Sequence, residues 1–210
     1  MTLRGLYMVT PRLEGAALLE RVRAAFEGAG PGYLLQYRAK ATDAQQRAHD
    51  ARALAALCRA RGATFIVNDD LELALAVGAD GLHLGRDDGE PAAARARLGA
   101  MLLGVSCYAS LELARAAVAA GADYVAFGSV FPSSTKPSAV RAPLSLFAEA
   151  RPLGVPLVAI GGITLENAPQ LLAAGADCVA VISDLFDARD VAARARAFTR
   201  LFHPDPVSKP

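Results

Sequence analysis

Polar side chains suited to an anion follow the second apolar run of the chain. Gln36, Arg38 and Lys40 stand two residues apart from one another. Because side chains alternate along a β-strand, all three can share one face at the strand end. Arg pairs with two oxygen atoms and Lys acts as a point charge, so the trio indicates an anion site. The alternative is a solvated strand end with ordinary surface charges.

Carboxylates follow the next two apolar runs, as Asp69-Asp70 and as Asp88. Carboxylate oxygens at neighbouring strand ends are ligands that Mg²⁺ accepts, with waters and substrate phosphates completing its shell. Asp70 could instead cap a helix that starts at Leu71. Acidic groups beside cationic ones in a partly buried mouth are costly to gather without a metal and an anion between them. The pattern therefore predicts a magnesium site next to the anion site.

Hydroxyl groups and glycines follow the later apolar runs. Residues 133–136 read Ser-Ser-Thr-Lys, and their hydroxyls, backbone N–H groups and lysine could bind phosphate oxygens. Gly161 and Gly162 precede a helical segment, where backbone amides can approach a phosphate closely. The alternatives are a polar turn for 133–136 and relief of crowding for the glycines.

Ser106 and two histidines remain open to a structural interpretation. Ser106 could donate a hydrogen bond to a ligand or cap the next helix. The lack of a Ser/His/acid arrangement argues against Ser106 as a nucleophile. His83, within a strand, and His49, on a helix, are more typical of structural histidines than of catalysts.

These side chains need a scaffold, and a repeated phrase indicates which one. A small-Gly-Ala-Asp phrase that ends in Asp80, Asp123 and Asp177 follows three helical stretches and precedes three strands. A recurring helix-stop-strand phrase predicts one βα unit copied along the chain. Eight strands are predicted in all: Gly5–Thr10, Tyr33–Arg38, Thr64–Asp69, Gly81–Gly85, Leu102–Cys107, Tyr124–Val130, Pro156–Gly162 and Cys178–Ser183.

Eight βα units predict an α/β fold, a single (β/α)₈ TIM barrel of parallel strands with its active site at the carboxyl ends of the strands. A doubly wound open sheet is the alternative, because counting strands cannot show closure. The clearest helical segments are Thr42–Arg61, Ser110–Ala120 and Thr164–Ala174, each with its first residue as the N-cap. We expect one catalytic domain over 1–203 and a disordered tail over 204–210.

Composition narrows the classes of function. The chain has 210 residues, 53% of them hydrophobic, a mean hydropathy of +0.28, and a net charge of +1, which gives no support for nucleic-acid or membrane partners. No apolar run approaches the roughly 18 residues of a membrane span, and the first residues lack a signal-peptide pattern. Three cysteines that lie far apart fit free thiols better than disulfides or a zinc site. We therefore expect a cytoplasmic protein; homo-oligomer formation is left open.

Seven polar phrases, one at each of seven strand ends, together resemble those of the thiamine phosphate synthase family. In chain order they are Gln36-Tyr37-Arg38-Ala39-Lys40, Asn68-Asp69-Asp70, His83-Leu84-Gly85 with Asp88, Gly104-Val105-Ser106, Ser133-Ser134-Thr135-Lys136, Ile160-Gly161-Gly162-Ile163-Thr164 and Ile182-Ser183. Any one of these phrases is weak, but all seven in order are specific.

The resemblance implies a role for each matching residue. It places the pyrimidine diphosphate against Gln36, Arg38, Lys40, Asn68, Ser106 and Lys136, and the catalytic roles on Ser106, Lys136 and Arg38. It places the thiazole phosphate against Ser133, Thr135, Gly162, Ile182 and Ser183, and Mg²⁺ on Asp69 and Asp88. The implied partners are two phosphorylated small molecules.

The implied reaction joins 4-amino-2-methyl-5-(diphosphooxymethyl)pyrimidine to (carboxy)ethylthiazole phosphate, giving thiamine monophosphate and pyrophosphate. In the family, pyrophosphate leaves first and the thiazole nitrogen attacks a pyrimidinylmethyl cation. Arg86 and Tyr108 depart from the usual Gln and the common His. Two alternatives are an isomerase of the thiazole tautomerase type, which uses a His near position 108, and a non-catalytic sensor of phosphorylated ligands.

Overall fold

A computed structural model describes residues 3–30, 32–40, 42–132 and 141–203. Its parallel strands are β1 (Gly5–Val9), β2 (Leu34–Tyr37), β3 (Thr64–Asn68), β4 (Gly81–Leu84), β5 (Leu102–Tyr108), β6 (Tyr124–Phe127), β7 (Leu157–Ile160) and β8 (Cys178–Val181). They form a closed barrel in chain order, with β8 paired to β1. The predicted barrel is therefore confirmed, and the open sheet is wrong.

Helices in the described part of the chain cover the outside of the barrel. They are α1 (Gly15–Gly28), α2 (Ala44–Arg61), α3 (Leu71–Val77), α4 (Pro91–Leu98), α5 (Leu111–Ala119), α6 (Ser145–Ala150), α7 (Ala168–Ala174), α8 (Ser183–Phe186) and α9 (Val191–Arg200). Side chains that point outward from the strands pack against them, for example Leu6 and Met8 of β1. The intervening Tyr7 and Val9 belong to a separate cluster with Leu34 of β2 and other inward residues. Alternation along each strand thus separates an outer core from the barrel interior.

The repeated phrase ties neighbouring strands together at the amino-terminal end of the barrel. Its glycines adopt left-handed φ angles of 62°, 92° and 106° and end the preceding helical stretches, as predicted. Each aspartate, at 80, 123 and 177, then makes two hydrogen bonds to one residue of the preceding strand. Its N–H donates to that residue's carbonyl and its carboxylate accepts that residue's N–H, the partners being Phe65, Leu103 and Leu157. The repeat therefore stabilises the end of the barrel opposite the mouth.

The predicted helix starts are right in one case and wrong in two. Ser110 caps α5 through the N–H of Leu113, as expected. Asp43, and not Thr42, caps α2, because its carboxylate accepts the first free N–H groups of the helix. The third helix starts at Ala168 and not at Thr164, after a turn in which the Thr164 N–H donates to a side chain at 167. A proline in the first turn of this helix favours the later start.

Two further features concern membrane-spanning helices and the cysteines. Within the described ranges, no helix combines the length and the apolar character needed to cross a bilayer. Cys58, Cys107 and Cys178 are all buried free thiols, and burial raises the pKa of each to about 12. The predicted tail, 204–210, lies outside the described residues.

Candidate active site

A cavity of about 760 Å³ lies at the carboxyl ends of the strands. This volume is typical of a small-molecule site. Ten of the residues singled out from the sequence line it: Gln36, Arg38, Lys40, Asn68, Asp69, Asp88, Ser106, Gly162, Ile182 and Ser183. Ser133, Thr135 and Lys136 lie outside the described residues. Every predicted site residue that the structure describes is therefore brought to one cavity.

The predicted anion-binding trio lies along one wall of this cavity. Gln36 is buried within β2, and its side-chain amide donates to the hydroxyl of Tyr7 at 2.9 Å. Arg38 follows the strand, and its backbone N–H donates to Thr10 Oγ1 at 2.9 Å. Lys40 is half exposed, with Nζ 3.0 Å from Asp69 Oδ2. The trio therefore presents two cations to the cavity from a fixed backbone.

Asp69 and Asp88 face each other beside Lys40. Asp69 has a left-handed φ of 66°, which its residue type tolerates, and its N–H donates to the His83 carbonyl at 2.9 Å. Burial and a hydrogen bond with Asp88 raise the pKa of Asp69. Burial acts in the same sense on Asp88, but hydrogen bonds from Asp69 and the Gly85 N–H outweigh it and lower the pKa of Asp88. The two carboxyl groups thus influence each other, and their pKa values shift in opposite directions.

Asp69 and Asp88 could supply only part of the ligand shell of a magnesium ion. A divalent cation would relieve the repulsion between two neighbouring carboxylates. Within the described ranges, no group of three or more His, Cys, Asp or Glu residues could hold a metal. Mg²⁺ is commonly held by one or two carboxylates together with substrate phosphates and waters. Asp69 and Asp88 therefore fit an ion whose shell is completed by a phosphorylated ligand.

Asp70, next to the pair, has the structural role that the sequence left open. Its Oδ1 accepts the N–H of Leu73 at 2.9 Å and caps α3. A second oxygen lies 3.5 Å from Arg47 of α2. Asp70 therefore positions the start of α3.

A buried row of polar side chains crosses the barrel below the cavity, and we call it the inner polar chain. In order, it consists of Gln36, Tyr7, Tyr124, His83 and Ser106. The links after the first are 2.7 Å between the two tyrosine hydroxyls, 3.1 Å from Tyr124 to His83 Nδ1, and 2.8 Å from His83 Nε2 to Ser106 Oγ. Burial lowers the pKa of His83 to about 4, so its imidazole is neutral near pH 7.

The observed hydrogen bonds answer two questions that the sequence left open, on the roles of Ser106 and His83. Ser106 does not cap the following helix, since Ser110 does so. His83 is a buried histidine with both ring nitrogens paired, as expected. Sequence reasoning missed Tyr7 and Tyr124; their one signal was a hydroxyl at inward positions of otherwise apolar strands.

Gly162 and Ser183 lie at the opposite side of the cavity. Gly162 has a φ of 64°, and a Cβ there would overlap the carbonyl oxygen of Pro132. The Asn167 side chain donates to the Gly162 carbonyl at 3.0 Å and holds this turn. Close approach of two loops therefore requires glycine at 162, as one of the two sequence interpretations held. Ser183 is the exposed first residue of α8.

Comparisons with known proteins decide the family. The sequence profile described as thiamine monophosphate synthase matches residues 6–185. The thiamine-phosphate synthase of Chromobacterium violaceum is 60% identical over 200 residues, covering 94% of this chain and 96% of the relative. That of Aromatoleum aromaticum is 58% identical over 203 residues, covering 95% and 97%. The chain belongs to the thiamine monophosphate synthase family. Its predicted activity, a transferase of this family, is thereby confirmed.

Solved structures agree with the family at the level of the fold. Thiamine phosphate pyrophosphorylase from Pyrococcus furiosus superposes with a TM-score of 0.85 at 34% identity, over 96% of both chains. A 3-hexulose-6-phosphate synthase superposes with a TM-score of 0.70 at 17% identity, over 94% of this chain and 99% of the other. The second likeness shows only that the barrel is shared.

Arg86 and Tyr108, the two residues expected from the resemblance to depart from the family pattern, contact each other. The Arg86 guanidinium lies 4.6 Å from the centroid of the Tyr108 ring, and the Arg86 N–H donates to the Tyr108 hydroxyl at 3.1 Å. Tyr108 has a φ of 53°, which is rare for a bulky residue, and the β5–β6 register shifts between Ser106 and Tyr108. The backbone therefore turns the ring toward Arg86 at the rim of the cavity.

One cation of the cavity was not found from the sequence. Arg194 of α9 lines the cavity beside Asp184 and lies 3.7 Å from its Oδ2. The same oxygen accepts the Leu165 N–H at 3.1 Å. Arg194 is one of several arginines in an ordinary helical stretch, so only the packing of α9 against the barrel identifies it.

Proposed function

We propose that this member of the thiamine monophosphate synthase family joins the two substrates named above in a Mg²⁺-dependent reaction that releases pyrophosphate. The observation that carries the proposal is the gathering of cationic, carboxylate and hydroxyl residues around one cavity of about 760 Å³. Such a cavity can hold two small phosphorylated molecules face to face, which supplies much of the rate advantage for a bimolecular reaction.

In this proposal, the diphosphate of the pyrimidine substrate lies along the wall formed by the anion-binding trio. Arg38 and Lys40 would pair with its oxygens, with Gln36 and Asn68 as neutral partners. The half-exposed ammonium of Lys40 can leave Asp69 for a phosphate without unfolding any element. Lys136, outside the described residues, would add a further cation. These groups would stabilise the negative charge that accumulates as pyrophosphate leaves.

Asp69 and Asp88 would hold the magnesium ion. When bound, Mg²⁺ would neutralise charge on the leaving pyrophosphate. The two carboxylates supply part of a shell that the diphosphate completes. Metal and substrate would therefore bind together at these two carboxylates.

The second substrate would bind on the opposite side, with its phosphate near Gly162, Ile182 and Ser183, and near Ser133 and Thr135 outside the described residues. Its ring nitrogen has a free lone pair and needs no general base. The chemistry of the cavity agrees with this, because the buried and neutral His83 lies beneath Ser106 and is bonded at both nitrogens. Ser106 would contact the pyrimidine near the reacting centre.

The remaining features of the proposal follow from composition and burial. We propose that residues 1–203 act as one catalytic domain in the cytoplasm. Three buried free thiols support the cytoplasmic assignment, because unpaired cysteines are typical of a reducing compartment. The partners are two phosphorylated small molecules.

The test is an assay of purified protein with both substrates and Mg²⁺, in which pyrophosphate and thiamine monophosphate are measured together. We expect equal amounts of both products, and none after chelation of the metal. Metal-independent turnover of a precursor of the thiazole phosphate would instead indicate an isomerase. Binding of either phosphorylated compound with no product would indicate a sensor. Either of these outcomes rejects the proposal.

A further inference from the structure

We propose that the inner polar chain fixes His83 as its Nε2–H tautomer and thereby makes Ser106 a hydrogen-bond donor to the substrate. His83 would then be a positioning residue, since it acts on the substrate only through Ser106. The inference about the substrate rests on the proposed function, whereas the inference about the tautomer stands on the described contacts alone.

Gln36, at one end of the inner polar chain, sets the direction in which its hydrogen bonds are donated. The side-chain nitrogen of Gln36 can only donate, so the Tyr7 oxygen accepts at 2.9 Å. The hydrogen of the Tyr7 hydroxyl then has the Tyr124 oxygen 2.7 Å away as its acceptor. Tyr7 is only 1% exposed, so bulk water cannot take this hydrogen.

The next hydrogen bonds are donated in the same direction, toward His83. Because Tyr124 accepts from Tyr7, its own hydrogen is directed to His83 Nδ1 at 3.1 Å. A neutral imidazole has one donor nitrogen and one acceptor nitrogen. With Nδ1 as the acceptor, the proton lies on Nε2, which is 2.8 Å from Ser106 Oγ.

The reverse direction would leave one hydrogen without a partner. If His83 donated from Nδ1, Tyr124 would donate to Tyr7, and the Tyr7 oxygen would accept two hydrogen bonds. Among the described residues, the hydrogen of the Tyr7 hydroxyl would then have no acceptor. Buried donors without a partner are rare in folded proteins, because nothing replaces the water that they lose.

The hydrogen bond from His83 determines whether the Ser106 hydroxyl can donate to a substrate. Its oxygen accepts from His83 Nε2, so its hydrogen is directed away from the histidine. Ser106 lines the cavity. It therefore presents a donor, and the part of the substrate that faces it must carry a hydrogen-bond acceptor, such as a ring nitrogen or a phosphate oxygen.

The tautomer is tested by nitrogen NMR of the ligand-free and metal-free protein, labelled with ¹⁵N-histidine. The signals of His83 are assigned by their loss in His83→Gln. We expect a protonated Nε2, with a resolved one-bond coupling to hydrogen, and an unprotonated Nδ1. Protonation of Nδ1, or a mixture of the two tautomers, overturns the proposal. This readout does not depend on enzymatic activity, so it remains decisive if the proposed function fails.

A second experiment tests whether Gln36 sets the direction of hydrogen-bond donation along the inner polar chain. Gln36→Glu replaces the amide nitrogen, which donates to Tyr7, with a carboxylate oxygen that can only accept when it is ionised at alkaline pH. Tyr7 should then donate to the introduced carboxylate, and every later link should reverse, which moves the His83 proton to Nδ1. An unchanged Nε2–H form in this variant overturns the proposal. The matched control is Tyr37→Phe, which removes a buried hydroxyl that has no hydrogen-bond partner among the described residues and should leave both His83 signals in place.

Kinetics test whether His83 acts through Ser106. We expect His83→Phe to lower kcat by about tenfold to a hundredfold with KM nearly unchanged, by analogy with other groups that orient a functional side chain. His83→Gln keeps an N–H donor and should recover part of this loss. The combination of His83→Phe with Ser106→Ala should be no slower than Ser106→Ala alone. Multiplicative losses, with folding checked by thermal unfolding, would show that His83 does not work through Ser106.

Discussion

Lys40 Nζ lies 3.0 Å from Asp69 Oδ2, and this contact joins the predicted anion-binding wall of the cavity to its carboxylate pair. Lys40 is the more exposed partner, with 53% of its side chain accessible against 23% for Asp69. A diphosphate can therefore draw the ammonium away at little cost, because an exposed ion pair contributes little stability. The move would free Asp69 for a cation when the diphosphate binds.

The turn at Gly162 is predicted to be required for steric reasons. Gly162→Ala places a Cβ against the Pro132 carbonyl oxygen at a left-handed φ of 64°. We expect a raised KM for the thiazole phosphate and a loss of about 1–3 kcal/mol in unfolding free energy. Gly154→Ala is the control, because Gly154 has a similar φ of 72° and no atom within 4 Å of the added Cβ. Equal effects of the two substitutions would mean that backbone strain alone explains the result.

The aspartate of the repeated phrase is predicted to be needed for stability and not for catalysis. Asp177→Ala leaves the buried N–H of Leu157 without its acceptor at 2.9 Å. We expect a loss of about 1–3 kcal/mol in denaturant unfolding, with kcat unchanged under native conditions. Asp177→Asn keeps an oxygen acceptor and should lose less. Equal destabilisation of both variants would show that the acceptor for the Leu157 N–H does not matter.

Arg86 and Tyr108 are predicted to be energetically coupled. The guanidinium lies over the ring at 4.6 Å at an exposed position, where such a contact contributes about 0.5–1 kcal/mol. A double-mutant cycle of Arg86→Gln and Tyr108→Leu in unfolding free energy should recover a coupling of this size. The same arginine variant combined with Glu149→Ala, an exposed change on α6, should be additive. Additivity in both pairs would show that the ring contact contributes nothing.

His83 is predicted to make stability depend on pH. Burial lowers its pKa from 6.5 to about 4, so the unfolded chain binds a proton between these values and the folded protein does not. The unfolding free energy should therefore be highest above pH 6.5 and should fall toward pH 4, by about 3 kcal/mol from this group.

Comparison of two histidine variants isolates this effect in the metal-free protein. His83→Gln should remove its share of the slope, whereas His49→Gln, at an exposed position of α2, should keep the wild-type slope. Chemical denaturation at several pH values measures both. A slope that is the same in all three proteins would contradict the assignment.

The strands and the repeated phrase could be predicted because their signals are local. Apolar runs, helix-ending glycines and the aspartates of the repeated phrase can each be recognised from a few neighbouring residues. The placement of Gln36 and Ser106 at the mouth then followed from the barrel alone, since all strand ends meet there. Helix starts were harder, because Thr42 and Asp43 are both good caps and only the geometry of the first turn selects the aspartate.

The contacts that cross the barrel could not be predicted. Tyr7 and Tyr124 are far apart in the sequence, and their hydroxyls meet because inward positions of β1 and β6 reach the same layer. Arg194 lines the cavity because α9 packs against α1 and β1. The contact between Arg86 and Tyr108 depends on a register shift in β5 that no pattern of residue types announces.

Asp69, Asp88 and a diphosphate are proposed to hold Mg²⁺ together. This is tested by calorimetric titration of the protein with Mg²⁺, with and without saturating pyrophosphate, after subtraction of the binding of pyrophosphate to Mg²⁺. We expect weak binding of the metal alone and binding at least about tenfold tighter with pyrophosphate. This gain should be lost in Asp69→Asn and kept in Asp70→Asn, which still caps α3. Equal affinity with and without pyrophosphate, or undiminished binding in Asp69→Asn, would contradict the proposal.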